Sequence, residues 1–157
     1  MKNIQIKNIS MRRAKKADST IVKFLQDGIF YDDFQNYGFC PNYGRSQEWT
    51  ETLIKRRDVY LIYDQEELAG IIVIRVHGME CHISSIGIKK EYRGKRIGTY
   101  VMEQMESRYH DAWVFTLDTY WDKKDNIRFY KNLGYEITGT QMEGSLKLVY
   151  FRKKAKH

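Results

Sequence analysis

Residues 86–99 read IGIKKEYRGKRIGT and form the most informative stretch of the sequence. It begins in an apolar strand pattern, passes through a basic turn that contains a glycine, and ends where a helix pattern starts. In that helix Ile97, Val101 and Met105 recur every four residues and form one apolar stripe. The sequence therefore predicts a strand, a basic turn and a helix in direct succession.

The basic turn has the features of an anion site. A helix start leaves about four backbone N–H groups unpaired and carries partial positive charge. Gly94 and Gly98 allow a bulky anion to approach the backbone, and formal charge comes from Arg93, Lys95 and Arg96. These features favour a cradle for a pyrophosphate group. On spacing alone, a plain charged turn explains the same residues equally well.

The turn does not carry the common nucleotide-binding fingerprints. The sequence contains no G-x-G, which excludes the dinucleotide motif, and no G-x-x-x-x-G-K-[ST], which excludes the usual NTP-binding loop. Four histidines and two cysteines show no metal-ligand spacing, so no metal site is expected. If the turn binds a phosphorylated molecule, it does so by another arrangement.

The remaining patterns predict an α/β fold around one mixed sheet. Ser46, followed by Glu48 and Trp49, opens a helix, and Gly134 is a suitable left-handed end for the last one. An aromatic, acidic and glycine-punctuated stretch over residues 28–44 predicts a long loop. The predicted helices cover residues 19–26, 46–57, 96–109 and 125–133, and the predicted strands cover residues 4–12, 59–63, 68–76, 81–88, 112–117, 135–137 and 146–151.

Composition limits the class of protein. A chain of 157 residues predicts a single domain over residues 1–157, and 42% hydrophobic residues exclude a disordered chain. The longest apolar run, residues 68–74, is too short to cross a bilayer. The N-terminus has no apolar signal core, and two cysteines make no disulfide framework, so we expect a cytoplasmic protein with no membrane partner. A net charge of +7 favours anionic ligands.

Two segments resemble the GNAT N-acetyltransferase superfamily. Residues 92–99, YRGKRIGT, are similar to its acetyl-CoA-binding motif, which reads Arg or Gln, two residues, Gly, one residue, and Gly or Ala. Arg93 and Gly98 fit this motif, whereas Arg96 stands where the family has its middle glycine. Residues 126–135, NIRFYKNLGY, are similar to a late segment with Asn, then Phe-Tyr, then Leu-Gly-Phe. The two segments occur in the family's order.

The resemblance implies a fold and a reaction. The fold is the acyl-CoA N-acyltransferase fold, a single mixed, mostly antiparallel central sheet flanked by helices. Acetyl-CoA is the cosubstrate, bound in a cleft where two neighbouring strands splay apart, and a primary amine of a small molecule or peptide attacks its thioester directly. The implied cofactor-binding residues are Ile86, Gly87, Ile88, Arg93, Gly94, Lys95, Arg96, Ile97, Gly98, Thr99, Asn126 and Tyr130.

The reaction needs a base for the amine and a proton donor for the leaving thiolate. The resemblance places Tyr130 near the CoA sulfur as the catalytic acid, although a structural tyrosine also fits the pattern. His82, on the strand before the basic turn, has the right pKa range for the catalytic base, and a histidine of the strand edge is the plain alternative. Other candidate bases are Asp118, Glu48 and the pair Asp32 and Asp33.

The resemblance implies that the first helix, the loop that follows it and the late strands line the acceptor side. That loop is the stretch 28–44 here. The candidate residues are Tyr31, Asp32, Asp33, Phe34 and Asp118. Aromatic rings with carboxylates suit a cationic amine, although a hydrophobic lid with polar tips explains them nearly as well.

Two alternative functions stay open at this stage. The first is an acyl-CoA-binding sensor without turnover, which the residue Arg96 in place of glycine allows. The second is a basic nucleic-acid-binding module. The net positive charge supports it, whereas the absence of any recognised nucleic-acid-binding motif speaks against it. A homodimer is compatible with the sequence.

Overall fold

A computed structural model describes residues 8–156. This part of the chain forms seven strands and four α-helices. The strands are β1 Ile9–Arg13, β2 Asp58–Asp64, β3 Glu67–His77, β4 Glu80–Ile88, β5 Val114–Tyr120, β6 Glu136–Glu143 and β7 Leu146–Lys154. The helices are α1 Ser19–Tyr37, α2 Gln47–Arg56, α3 Ile97–Arg108 and α4 Lys124–Asn132.

The strands form one mixed sheet in the order β1-β2-β3-β4-β5-β7-β6. The pairs β1–β2, β2–β3, β5–β7 and β6–β7 are antiparallel, and β4–β5 is parallel. The parallel pairing joins only Glu80–His82 to Val114–Thr116, although both strands continue beyond it. The predicted fold class is therefore confirmed.

The described residues divide into two compact units. The first holds residues 8–74 and 85–103, and the second holds residues 75–84 and 104–156. In the first unit α1 contributes Val22 and Leu25 to a core that alternate residues of β2 and β3 complete, among them Leu61 and Ile71. In the second unit the buried residues include Cys81, Met105, Phe115, Leu117 and Phe151.

Helix α1 is longer than the sequence suggested. We predicted a helix over residues 19–26 and a loop over 28–44, but the helix continues to Tyr37 and contains Gly28. A glycine inside a helix costs only about 1 kcal/mol relative to alanine, and burial of Val22 and Leu25 offsets that cost. The helix ends where Gly38 adopts a φ of 76° and donates its N–H to the carbonyl of Phe34.

The other elements follow the predictions with shifts at their ends. Helices α2, α3 and α4 are confirmed to within about two residues. Strand β5 begins later and runs further than the predicted 112–117, and β6 runs to Glu143 rather than residue 137. Every residue of β6 is exposed. Because neither face of the strand is buried, its sequence lacks the alternation of apolar and polar residues that predicts a strand. Of the predicted first strand, residues 4–7 lie outside the described residues.

Candidate active site

The basic turn and the start of α3 present main-chain N–H groups. Helix α3 begins at Ile97, and the N–H of Tyr100 donates to the carbonyl of Arg96 at 3.2 Å. This is an i→i−4 bond, so the amides of Ile97, Gly98 and Thr99 precede the first intrahelical hydrogen bond. Those amides and the partial positive charge of the helix start suit an anion.

The backbone of this turn is left-handed at two positions. Gly94 has a φ of 77° and Arg96 has a φ of 64°. Positive φ is easy for glycine but disfavoured for other residues. Arg96 therefore adopts the left-handed conformation for which a glycine is suited at this position of the motif. The replacement of that glycine by arginine changes the side chain but keeps the backbone conformation.

The turn has room and charge for a phosphate group. A Cβ added to Gly94 would meet nothing within 4 Å, so space above the backbone is open. The side chains of Arg93, Lys95 and Arg96 are exposed. Arg93 donates from Nε to the carbonyl of Ile88 at 2.9 Å, and the Lys95 ammonium lies 5.4 Å from the centre of the Tyr92 ring. These residues fit the pyrophosphate of a nucleotide cofactor.

Close packing explains the glycine of strand β4. A Cβ on Gly87 would lie 2.5 Å from Cγ2 of Ile29 on α1, which no real side chain tolerates. A Cβ on Gly70 of β3 would in turn overlap the carbonyl oxygen of Gly87. The sequence predicted a bulge or a close approach here, and the close approach is confirmed.

A cavity of about 310 Å³ lies in the first unit beside the basic turn. Tyr31 and Asp32, both predicted to bind the acceptor, line it on α1, and Arg93 lines it from the turn. The carboxylate of Asp32 pairs with Lys90 Nζ at 2.8 Å, so a cation within the chain already balances its charge. Lys89 also lines the cavity. The lining is therefore less acidic than the composition of the predicted loop suggested.

The other predicted acceptor residues of this region do not line that cavity. Phe34 stacks on Tyr43 with ring centres 4.6 Å apart, and Asp33 is half-buried on α1. Because α1 continues as a helix through these positions, consecutive residues point in different directions rather than toward one site. The predicted loop is wrong, because this stretch is helical to Tyr37. Of the acceptor residues predicted on it, Tyr31 and Asp32 line the cavity.

In the second unit His82 belongs to a chain of hydrogen bonds. Its Nδ1 lies 2.8 Å from Oγ1 of Thr116, its pairing partner on β5. Oγ1 of Thr116 donates to Oε2 of Glu80 at 2.5 Å. The three side chains are part-buried, and strand pairing brings them together although Glu80 and Thr116 are far apart in sequence. Sequence reasoning missed Glu80 and Thr116.

Burial dominates the electrostatics of His82. Removal from water lowers the pKa of the imidazole below 6.5, although the negative charges of Asp118 and Glu80 oppose this effect. The positive charge of Arg75 lowers the pKa further. His82 is therefore neutral at pH 7, as a base must be. Asp118 is the nearby alternative, and partial desolvation raises its pKa despite the opposing effect of His82.

Tyr130 has the protonation state of an acid. Its side chain is buried at 7% exposure, and its ring lies in a cluster with Phe129, Tyr135 and Phe151. Burial raises the pKa of the phenol, and the charge of Asp118 adds to the shift. The hydroxyl therefore keeps its proton at neutral pH.

Asn126 and Tyr130 lie on the opposite side of β5 from His82. Asn126 on α4 donates from Nδ2 to Oγ1 of Thr119 at 3.3 Å. Tyr130 packs on Phe151, which pairs with Leu117. Since side chains alternate along a strand, these contacts are on the other face from Thr116 and Asp118. The predicted acid and base therefore approach β5 from its two faces.

Within residues 8–156 no group of three or more His, Cys, Asp or Glu side chains is arranged to hold a metal.

A family model described as an acetyltransferase (GNAT) domain matches residues 55–137, more than half of the chain. The chain belongs to the GNAT acetyltransferase family. As a GNAT protein it is an N-acetyltransferase, and the resemblance found in the sequence is confirmed. The matched residues include the basic turn, His82 and Tyr130. No curated protein sequence matches the chain.

Solved structures of other proteins share the fold. The ribosomal-protein-S18-alanine N-acetyltransferase from Escherichia coli is 11% identical, with a TM-score of 0.76 over 95% of each chain. Ard1 from Thermoplasma volcanium is 17% identical, with a TM-score of 0.77 over 96% of this chain and 99% of its own. The yncA protein from Salmonella typhimurium, solved with its cofactor acetyl-CoA, is 12% identical. Its TM-score is 0.72 over 96% of this chain and 95% of its own. At these identities the likeness concerns the fold alone.

No helix among residues 8–156 combines the length and the apolar character needed to cross a membrane.

Proposed function

We propose that this GNAT protein transfers the acetyl group of acetyl-CoA to a primary amine of a small molecule or peptide. The observation that carries the proposal is the backbone of the basic turn, which is left-handed at Gly94 and Arg96. The amides that precede the first intrahelical bond of α3 follow it. This arrangement suits the diphosphate of coenzyme A. The cofactor-binding set is that predicted from the sequence, including Asn126 and the main chain of residues 86–88.

His82 is the proposed base of the reaction. A primary amine with a pKa near 10 is mostly protonated at neutral pH and cannot attack the thioester in that form. The neutral imidazole of His82 takes the proton, directly or through a water molecule. The amine then attacks the carbonyl carbon of the thioester, and main-chain N–H groups of residues 86–88 stabilise the oxyanion that forms.

Tyr130 is the proposed acid. As the tetrahedral intermediate collapses, the carbon–sulfur bond breaks and the sulfur leaves as a thiolate. The Tyr130 hydroxyl, which burial keeps protonated, donates its proton to that sulfur. The nitrogen that attacked loses its second proton, and Tyr130 regains a proton by exchange with solvent. The products are therefore the acetylated amine and coenzyme A.

The proposed acceptor contacts are Tyr31 and Asp32, which line the cavity of the first unit. Asp118, which belongs to the second unit, stays a prediction from the sequence. The cavity is lined by three basic residues, Lys89, Lys90 and Arg93, against the acidic residues Asp32 and Glu91. This lining does not select a strongly cationic amine. Among the solved neighbours, one is a ribosomal-protein-alanine N-acetyltransferase, which supports peptide amines as one class to test.

A thiol-release assay with acetyl-CoA and a panel of amines tests the proposal. The panel contains polyamines, aminoglycosides, amino acids and N-terminal peptides. We expect one class to release coenzyme A well above the rate of spontaneous hydrolysis. Binding of acetyl-CoA without turnover on any amine would contradict a transferase and favour a sensor.

The single domain over residues 1–157, the cytoplasmic location and the homodimer stay predictions from the sequence.

A further inference from the structure

The hydrogen-bond chain of Glu80, Thr116 and His82 has a defined direction. An ionised carboxylate only accepts hydrogen bonds, and a threonine hydroxyl carries a single proton. Thr116 donates that proton to Oε2 of Glu80 at 2.5 Å. Its oxygen therefore has only lone pairs to offer to Nδ1 of His82, which lies 2.8 Å away.

This direction decides the tautomer of the imidazole. If the Thr116 oxygen accepts, Nδ1 of His82 must carry the proton. The lone pair of the neutral ring then lies on Nε2. Histidine in water favours the opposite tautomer, with the proton on Nε2, and in that form Nε2 cannot act as a base. The neighbours of His82 thus determine which nitrogen is basic.

We propose that Thr116 and Glu80 are positioning residues that hold His82 with its proton on Nδ1 and its basic lone pair on Nε2. The inference rests on the proposed function, in which His82 is the base. When Nε2 takes the proton of the amine, the ring becomes an imidazolium with protons on both nitrogens. Nδ1 keeps its bond to Thr116, and Nε2 later returns its proton to solvent.

The charges around His82 come from three strands. Glu80 lies on β4, Asp118 on β5 and Arg75 on β3. The two carboxylates stabilise the imidazolium, whereas Arg75 and burial oppose it. Loss of the Thr116 hydroxyl removes an acceptor that favours the charged ring, so it moves the acid limb of the pH–rate profile to lower pH.

The direct test is the tautomer itself. Nitrogen-15 NMR of the imidazoles, assigned with a His82→Gln variant, is recorded above the pKa of His82. We expect a protonated Nδ1 and an unprotonated Nε2 in the wild type and in Thr116→Ser, and a shift toward protonated Nε2 in Thr116→Val. A wild-type ring with its proton on Nε2 would overturn the proposal.

The kinetic test compares variants that differ in one hydroxyl. Thr116→Val is expected to lower kcat about 10- to 100-fold, as loss of an orienting partner commonly does, with little change in KM for acetyl-CoA. Thr116→Ser should retain most of the rate, and Glu80→Gln should give an intermediate loss. The exposed Thr140 of β6 provides the control Thr140→Val, which should match the wild type. Thermal unfolding verifies that each variant is folded.

The two readouts separate this inference from the proposed function. A wild-type pH–rate profile and tautomer in Thr116→Val would overturn the positioning role. If His82→Ala keeps the wild-type rate, the base assignment fails, and the NMR result still decides whether Thr116 and Glu80 fix the ring.

Discussion

The basic turn and the His82 hydrogen-bond chain are built by different means. Residues 93–99, the basic turn and the start of α3, are one continuous segment whose backbone makes the proposed anion site. The chain of Glu80, Thr116 and His82 takes side chains from two strands that are distant in sequence and meet through β4–β5 pairing. A backbone site tolerates side-chain changes such as Arg96 but not bulk, whereas a side-chain site depends on single atoms. The two regions should therefore respond differently to mutation.

The largest effect is expected from Gly98→Glu in the basic turn. The new side chain places bulk and negative charge among the amides that start α3. Because like charges brought together cost several kcal/mol, acetyl-CoA should bind at least about 100-fold more weakly. Isothermal titration calorimetry measures this affinity. Gly139→Glu is the matched control, because Gly139 lies in β6 with open space around it and has no positive φ. An unchanged affinity for acetyl-CoA in Gly98→Glu would contradict the proposed anion site.

The second effect concerns the side-chain region. His82→Ala removes the proposed base and should lower kcat by roughly 10²-fold, the lower end of the usual contribution of general base catalysis. In the wild type the rate should fall as the pH drops through the pKa of His82, which burial places below 6.5, because the protonated ring cannot accept a proton. This limb should disappear in the variant. His77→Ala, at the exposed end of β3, is the control and should keep the acid limb of the profile. If that limb persists in His82→Ala, another residue is the base.

The third effect is smaller. Tyr130→Phe should slow acetyl transfer about tenfold, less than a general acid usually contributes, because a thiol with a pKa near 8.5 leaves readily as a thiolate. Affinity for acetyl-CoA should change little. Tyr135→Phe removes another buried hydroxyl of the same ring cluster, one that donates to Glu106, and should affect stability rather than kcat. Equal rates in Tyr130→Phe and the wild type would make Tyr130 structural.

The smallest effect tests the strained backbone. Arg96→Gly relieves a positive φ that costs a non-glycine residue about 1 kcal/mol, so Tm should rise by roughly 2–4 °C. Affinity for acetyl-CoA should fall modestly with the lost charge. Gln65→Gly is the control, because Gln65 also has a positive φ, of 59°, but lies in the turn between β2 and β3. It should stabilise the chain without changing that affinity; no rise in Tm for either variant would contradict the strain.

The same comparison explains what the sequence could predict. The basic turn is local, so its residues, its helix and its anion chemistry follow from one continuous segment. His82 is predictable only as a residue type on a strand, because its partner Thr116 depends on the register of two strands that sequence patterns do not specify. The error over residues 28–44 has another cause, since glycine and aromatic residues indicate a loop, whereas packing against the sheet keeps α1 helical.

A crystal structure of the complex with acetyl-CoA would show directly whether the basic turn and the start of α3 bind the diphosphate. We expect diphosphate oxygens within about 3.2 Å of main-chain nitrogens in residues 94–99. A diphosphate bound elsewhere, with those amides facing only solvent, would contradict it.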